Sequence, residues 1–253
     1  MVRLADALTP RSEKVQRREI NNTAVNFLAL SFVEVASLTI LFILVPLLLR
    51  ARNASFKQAG RPVVFFASIG LGFMFVEVSQ LQRLNIFLGH PTYSLSVVLF
   101  ALLLFSGVGS WATGYLGSKS SGLSRQSMLL ALLAVLLCFG LVTPSVLELF
   151  KASVTPVRIA VAIAILGPVG LVMGTAFPVG MQLVSRQNGA LAPWLWGING
   201  ASSICGSVLA VIIAMNAGIS VSFWVGFVCY AFAAAALRES PAVIQARQQI
   251  QSV

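Results

Sequence analysis

Acidic residues and histidine are scarce in this sequence. Its 253 positions hold seven Asp or Glu in total, and histidine occurs once, at His90. Metal centres are assembled from several His, Cys, Asp or Glu side chains, so this inventory argues against one. The sequence also has no glycine-rich phosphate loop and no strand-turn-helix unit. We therefore predict no metal, no nucleotide or S-adenosyl cofactor and no catalytic residue in this chain.

Cysteine is sparse as well. Cys138, Cys205 and Cys229 are odd in number, stand apart from one another and lie inside apolar segments. Disulfide frameworks and zinc sites need paired or closely spaced cysteines. The pattern therefore predicts three buried, unreactive thiols.

Charged residues make up only 9% of the chain, against about 25% in ordinary globular domains. Hydrophobic residues make up 58%, and the mean hydropathy is +0.91. A single soluble core stops growing near this chain length, so it cannot hide so much apolar surface. The side chains must therefore face lipid.

Seven apolar segments have close to the 20 residues that a helix needs to span a bilayer. Their continuous apolar runs favour helices over barrel strands, which alternate. We predict an all-α transmembrane bundle of about seven spans over residues 24–237, between a polar N-terminal tail (1–23) and a polar C-terminal tail (238–253). The expected spans are 24–49, 62–84, 92–116, 127–147, 157–183, 193–215 and 219–237.

The net charge of +10 comes from basic residues in the N-terminal tail and the short loops. Such residues set membrane orientation and contact anionic lipid, so we expect the bilayer, and not nucleic acid, as the partner. Alternate connections carry nine basic residues on one side against three on the other, which predicts that the first side is cytoplasmic. Arg17 and Arg18, close to the first span, argue for the opposite orientation.

Two acids lie at membrane depth. Glu34 is roughly 15 Å into the first expected span, and Glu77 belongs to a polar helix face with Ser79, Gln80 and Arg83, within an arc of about 160°. An acid in hydrocarbon costs several kcal/mol unless it faces protein or water. Two interpretations stay open: a carboxylate that binds a proton or a cationic solute, or a clamp in which Glu77 bonds to Gln80 or a neighbouring helix while Arg83 extends to the interface.

Other polar and small residues complete the candidate set. His90 lies in a predicted helix break at 88–92, as a turn residue or a pH switch. Asn199, in the run WGING, is expected to hydrogen-bond between helices first and to serve a site second. Small residues at four-residue spacing in the third and fifth spans predict close helix contacts, either in a rigid bundle or beside a transporter hinge. These pairs are Ser106 with Ser110 and Gly170 with Gly174.

Two stretches resemble the C-terminal membrane region of bacterial fused spermidine synthase-like proteins. They are FFASIGLGFMFVEVSQLQRLNIFLGHPTYSLSVVLFALLLFSGVGS (65–110) and GTAFPVGMQLVSR with APWLWGINGASSICGSVLAVIIAMNAGI (174–219). That family joins hydrophobic helices, loosely similar to major-facilitator transporters, to a Rossmann-like aminopropyltransferase or methyltransferase-like domain. The resemblance implies a motif role for Glu77, Gln80, Gln82, Arg83, Gly89, His90 and Pro91, and for Pro178, Gly180, Pro193, Trp196, Asn199 and Gly200.

The family's chemistry is expected in its soluble domain, which needs clustered acids for the polyamine and a glycine-rich cofactor loop. This sequence has neither, so the transferase activity does not carry over to this chain alone. The resemblance implies a multi-pass module of a bacterial inner membrane, split from its catalytic part or truncated, that anchors or partners a soluble transferase. The alternative is a transporter of small solutes, polyamines or other cations that uses Glu77 and Glu34.

Overall fold

The computed structural model describes residues 27, 30–46, 56–119 and 125–237. These ranges contain helices and short turns but no strand, which confirms the expected all-α helical bundle. In chain order the helices are α1 (30–46), α2 (Phe56–Leu88), α3 (Pro91–Lys119), α4 (Arg125–Phe150), α5 (Thr155–Asn188), α6 (Ala192–Ala217) and α7 (Ile219–Ala236). A single 3-10 turn, Gly189–Leu191, joins α5 to α6.

Six helices, α2 to α7, are long and apolar enough to cross a bilayer. The chain is therefore a multi-pass membrane protein. The first expected span, 24–49, falls partly outside the described residues. Its described part is helical, with a π-helical turn at Ile40–Leu44 and an apolar helix over Leu30–Phe42. The expected tails, 1–23 and 238–253, also lie outside the described residues.

Large apolar side chains cover the outside of the bundle. Ile86 is 75% exposed, Phe100 63% and Phe232 62%, a surface that is stable in hydrocarbon and not in water. The expectation of three buried thiols is wrong for Cys138, which lies exposed on this outer surface. Cys205 and Cys229 are half-buried, and all three thiols are free. The sequence shows that a cysteine lies in an apolar helix but not which way it faces, because lipid and protein neighbours are both apolar.

Two glycines allow the tight turns between helices. Gly89 has φ 76° between α2 and α3, and Gly218 has φ 105° between α6 and α7. Side chains with a Cβ rarely adopt this left-handed region. Pro91 then begins α3, where its missing N–H costs nothing. The helix break expected at 88–92 is confirmed.

Helix α2 lies at the centre of the bundle. It packs along α6 and α7 and also contacts α3 and α5. At Gly70, a Cβ would lie 2.5 Å from the backbone oxygen of Asn199, and at Gly226 one would lie 2.9 Å from the Cβ of Phe75. These glycines bring the backbones of α6 and α7 close to α2, as dispersion-driven packing in lipid requires.

Helices α3 and α5 make the closest backbone contact in the described bundle. A Cβ at Gly109 would overlap the carbonyl oxygen of Leu171, and one at Gly174 would overlap that of Ser106. The close approach expected at the Ser106 and Gly174 positions is confirmed. Pro168 and Pro178 both lie within α5, which is assigned as one helix from Thr155 to Asn188.

At one end of the bundle, an arginine joins two helices. Arg158, near the start of α5, donates from Nη1 to the carbonyl oxygen of Phe87 at 2.8 Å and from Nη2 to Thr155 Oγ1 at 3.4 Å. The last carbonyls of a helix have no partner within the helix. Arg158 therefore fixes the end of α2 to the beginning of α5.

Candidate functional site

A cavity of about 450 Å³ lies between α2, α3, α5 and α6. Small-molecule sites in proteins commonly have volumes of about 300–1,000 Å³. Its α2 wall is formed by Ile69, Gly70, Phe73 and Met74. The α2 span runs over Gly60–Leu88, so these residues lie within about 8 Å of its middle along the helix axis. The cavity therefore sits near the centre of the membrane.

Polar side chains from three helices line this cavity. Ser106 and Ser110 come from α3, Asn199 and Ser203 from α6, and Tyr230 from α7. A polar group in hydrocarbon costs free energy unless it bonds to protein, water or a ligand. Five such groups around one cavity make it the strongest candidate site in the described part of the chain.

Tyr230 is the most buried of these polar residues, with 2% of its surface exposed. Its ring packs against α2 at Gly72, where a Cβ would lie 2.9 Å from the ring. No hydrogen bond joins its hydroxyl to a described residue, although a buried phenol normally finds a partner. The hydroxyl of Tyr230 is thus available to a cavity occupant.

Asn199 links α6 to α2, as expected from the sequence. Its Nδ2 donates to the backbone oxygen of Phe66 at 3.0 Å. Ser203 Oγ donates to the backbone oxygen of Asn199 at 2.9 Å, and it lies 3.3 Å from that of Gly70 as an alternative acceptor. The side-chain oxygen of Asn199 has no partner among the described residues, so one side chain both clamps two helices and offers an acceptor to the cavity.

Glu77 lies next to the cavity but is not one of its lining residues. It is seven positions after Gly70 and three to four after Phe73 and Met74, so it shares their face of α2 one turn further along. Its side chain is 9% exposed and forms no hydrogen bond or ion pair with a described residue. Helical side chains lean toward the helix N-terminus, and from Glu77 the cavity lies in that direction.

The expected bond between Glu77 and Gln80 is absent from the described bundle. Gln80 is fully buried, and its Nε2 lies 3.3 Å from Ser79 Oγ, which itself donates to the carbonyl oxygen of Val76 at 2.8 Å. The Oε1 atom of Gln80 has no partner. In the described bundle Glu77 is thus hydrogen-bonded neither to Gln80 nor to a neighbouring helix, the two forms in which a clamp was expected.

Arg83 extends away from Glu77 toward α7. Its Nη2 donates to Ser220 Oγ at 3.2 Å, and its guanidinium carbon lies 5.9 Å from the centre of the Phe223 ring. Its Nη1 is buried without a partner. Ser220 is exposed at the beginning of α7, so Arg83 reaches the end of the bundle, as expected for an arginine near a span terminus.

Two other candidates lie away from the cavity. Glu34 is exposed on α1, a helix that touches α6 through Thr39 and Cys205 at 3.8 Å. His90 is exposed in the turn between α2 and α3, where its Nδ1 accepts a hydrogen bond from the backbone N–H of Thr92 at 3.3 Å. The structure brings neither residue to Glu77. Within the described ranges, no group of three or more His, Cys, Asp or Glu is placed to hold a metal ion.

The sequence pattern does not distinguish Tyr230, Ser203 or Ser110 as site residues. Ser110 is predicted from it only as a small residue at a helix contact, and Tyr230 lies in the apolar run FVCYAF. Polar side chains on three different helices indicate a shared site only once the helix neighbours are known. The sequence alone does not supply those neighbours.

The helices and the cavity define a multi-pass helical membrane protein with a polar site at mid-depth. No protein-family model, characterised protein or solved structure matches this chain. Its similarity to spermidine synthase-like membrane proteins therefore stays a prediction from the two sequence stretches.

Proposed function

We propose that this protein binds a small cationic solute in the central cavity and carries it across a bacterial inner membrane. The observation that carries the proposal is the cavity itself: about 450 Å³ at mid-depth, lined by Tyr230 and Asn199, whose hydroxyl and side-chain oxygen have no described partner, with Glu77 one helical turn beyond its α2 wall. A buried carboxyl that no described cation neutralises favours a positively charged occupant. Three aromatic residues, Phe73, Phe177 and Tyr230, also line the cavity, and aromatic rings attract cations.

Two prolines in α5 favour bending of this helix beside the cavity, which supports a transport function. Its cavity-lining residues Met173 to Phe177 lie between Pro168 and Pro178. Each proline removes a backbone hydrogen bond, so this stretch of helix bends at lower cost than its surroundings. Transporters place their substrate sites beside such weakened helices.

Replacing Glu77 tests the proposal directly. We expect purified protein in liposomes to take up labelled putrescine saturably, and Glu77→Gln to lower the initial rate about tenfold to a hundredfold. The amide keeps the shape but loses a charged contact worth about 1.5–3 kcal/mol. The measurement is the initial uptake rate at equal amounts of reconstituted protein.

Glu148→Gln is the matched control. Glu148 is exposed outside the cavity and forms an ion pair with Lys151, so its loss should leave uptake unchanged. Equal rates for Glu77→Gln and the unmodified protein would remove Glu77 from the binding site. Uptake of putrescine and tetraethylammonium no faster than into protein-free liposomes would reject cation transport altogether.

A second candidate function is the membrane module of a spermidine synthase-like protein that anchors or partners a soluble transferase. The two resembling stretches, 65–110 and 174–219, pack on each other in the structure through the bond from Asn199 to the Phe66 carbonyl and through Gly180 against Phe65. This candidate predicts that the tagged protein co-purifies with a cofactor-binding transferase from its native membrane. Recovery of the tagged protein without such an enzyme would count against it.

A further inference from the structure

Among the described helices, the central cavity is open on one lateral side of the bundle. Helix α3 packs along α5, and α6 packs along α2, but α3 and α6 form no packed interface with each other. The cavity lies between them, with Leu103 61% exposed and Gly107 exposed on the α3 wall. A span has lipid on its outer sides, so this opening faces the hydrocarbon.

Toward the end of the bundle where α2 begins, the cavity is closed by aromatic side chains. Phe65 and Phe66 are fully buried, and the Phe66 ring meets that of Phe177 edge-on at 5.3 Å. Phe177 in turn meets Trp196 edge-on at 4.9 Å. Phe65 and Phe66 lie one turn before the cavity residues of α2, and Phe177 forms the cavity wall at this end.

Toward the opposite end, fully buried side chains fill the space between the same helices. Leu84 of α2, Leu102 of α3 and Leu166 of α5 have no exposed surface, and neither does Gln80. Protein interiors packed in this way leave no passage for a hydrated solute. In this conformation the opening toward lipid is therefore the accessible one.

The chemistry of the cavity is amphiphilic. Its inner part contains Tyr230, whose hydroxyl lacks a described partner at 2% exposure, and Glu77 follows the α2 wall one helical turn beyond it. Its outer part presents apolar side chains, with Leu103 and Met74 on opposing walls. An occupant that matches both parts carries a cationic head and a hydrocarbon tail.

We infer that the cavity admits amphiphilic amines from within the bilayer, through the gap between α3 and α6. The ammonium head lies beside Glu77 and Tyr230, and the tail lies along Leu103 and out into the lipid. This inference rests on the proposed function and specifies its substrate class and route of entry. Entry from the hydrocarbon avoids the desolvation cost of carrying the tail through water, since the tail stays in an apolar medium throughout.

The test uses labelled dodecylamine and the full chain in lipid nanodiscs, with protein-free nanodiscs measuring simple partition. We expect saturable dodecylamine binding above partition and none for dodecanol, which has the tail but no charge. Gly107→Trp should abolish the saturable binding, because Gly107 lines the mouth and no atom within 4 Å obstructs a side chain there. Glu77→Gln should weaken it at least about tenfold by removing the charge.

Gly114→Trp is the matched control, two turns further along the same face of α3, outside the cavity and equally unobstructed. It should bind dodecylamine like the unmodified protein. Binding that never exceeds partition, or binding that Gly107→Trp leaves intact, overturns lateral entry. If putrescine uptake persists while dodecylamine shows no saturable binding, this inference fails and cation transport stands. If both fail, the proposed function fails with it.

Discussion

Gly109→Ala is expected to prevent normal packing of α3 against α5 and to leave little correctly folded protein. The added Cβ would overlap the carbonyl oxygen of Leu171, which belongs to the backbone of α5 and cannot rotate away. The two helices would have to separate along their whole contact. The neighbouring contact at Gly174, where a Cβ would overlap the carbonyl oxygen of Ser106, would then open as well.

The cost of this change should exceed that of ordinary overpacking. Extra methyl groups in a packed core cost about 1–3 kcal/mol when neighbouring side chains can adjust. Backbone atoms cannot adjust in this way, so a whole helix would have to move. In lipid, helix association depends on close dispersion contact, so separation removes its main driving force. We expect a loss of about 3 kcal/mol or more, measured as yield of monodisperse protein and as unfolding temperature in detergent.

Gly114→Ala supplies the comparison, since it adds the same methyl group to the same helix with no atom within 4 Å. Both variants gain equally in helix propensity, by about 1 kcal/mol relative to glycine. Only the contact with α5 distinguishes them. Equal melting temperatures for the two variants would show that α3 and α5 do not pack as described.

The helices were predictable because the bilayer imposes a minimum length on each apolar segment. Six of the expected spans correspond to helices, and five of these helices extend past the expected ends: α2 covers Phe56–Leu88 against an expected 62–84, and α5 covers Thr155–Asn188 against 157–183. Hydrophobicity marks where the hydrocarbon begins and ends. A helix continues into the interface until a residue such as Gly89 stops it.

The site was predictable only in part, because a sequence gives the angular position of a residue on its own helix but not the helix opposite. Asn199 was correctly expected to bond between helices, since a buried amide in a small-residue context requires a partner. The expected Glu77–Gln80 bond is not formed, and the amide nitrogen of Gln80 donates to Ser79 Oγ. Tyr230 can be recognised as a site residue only from the contact between α2 and α7.

Phe223→Ala is expected to be the most destabilising change in α7. Phe223 is fully buried, and its ring lies 5.7 Å from that of Phe139 and 5.4 Å from that of Trp224. The guanidinium carbon of Arg83 also lies 5.9 Å from the centre of the Phe223 ring. Truncation removes two ring–ring contacts and one cation–π contact. It also leaves a void beside Gly140, where a Cβ would lie 2.6 Å from the Phe223 ring.

The expected loss is about 3 kcal/mol, at the lower limit for truncating a buried phenylalanine. Lipid is as apolar as a protein core, so the transfer term of water-soluble proteins largely disappears. Lost dispersion and the loss of the cation–π contact, about 0.5–2 kcal/mol, remain. The measurement is the free energy of unfolding in bicelles, from titration with a denaturing detergent.

Two companion variants separate these contributions. Phe232→Ala makes the same truncation on the same helix at a side chain that is 62% exposed to lipid, and lipid tails replace the lost contacts there, so its cost should stay below about 1 kcal/mol. Phe223→Leu keeps most of the volume but removes the ring, so it should cost about 1.5 kcal/mol or less in packing, with the loss of the Arg83 contact in addition. If Phe232→Ala proved as costly as Phe223→Ala, the face of α7 that carries Phe223 would not be the buried one. Arg83 would then have no aromatic partner inside the bundle.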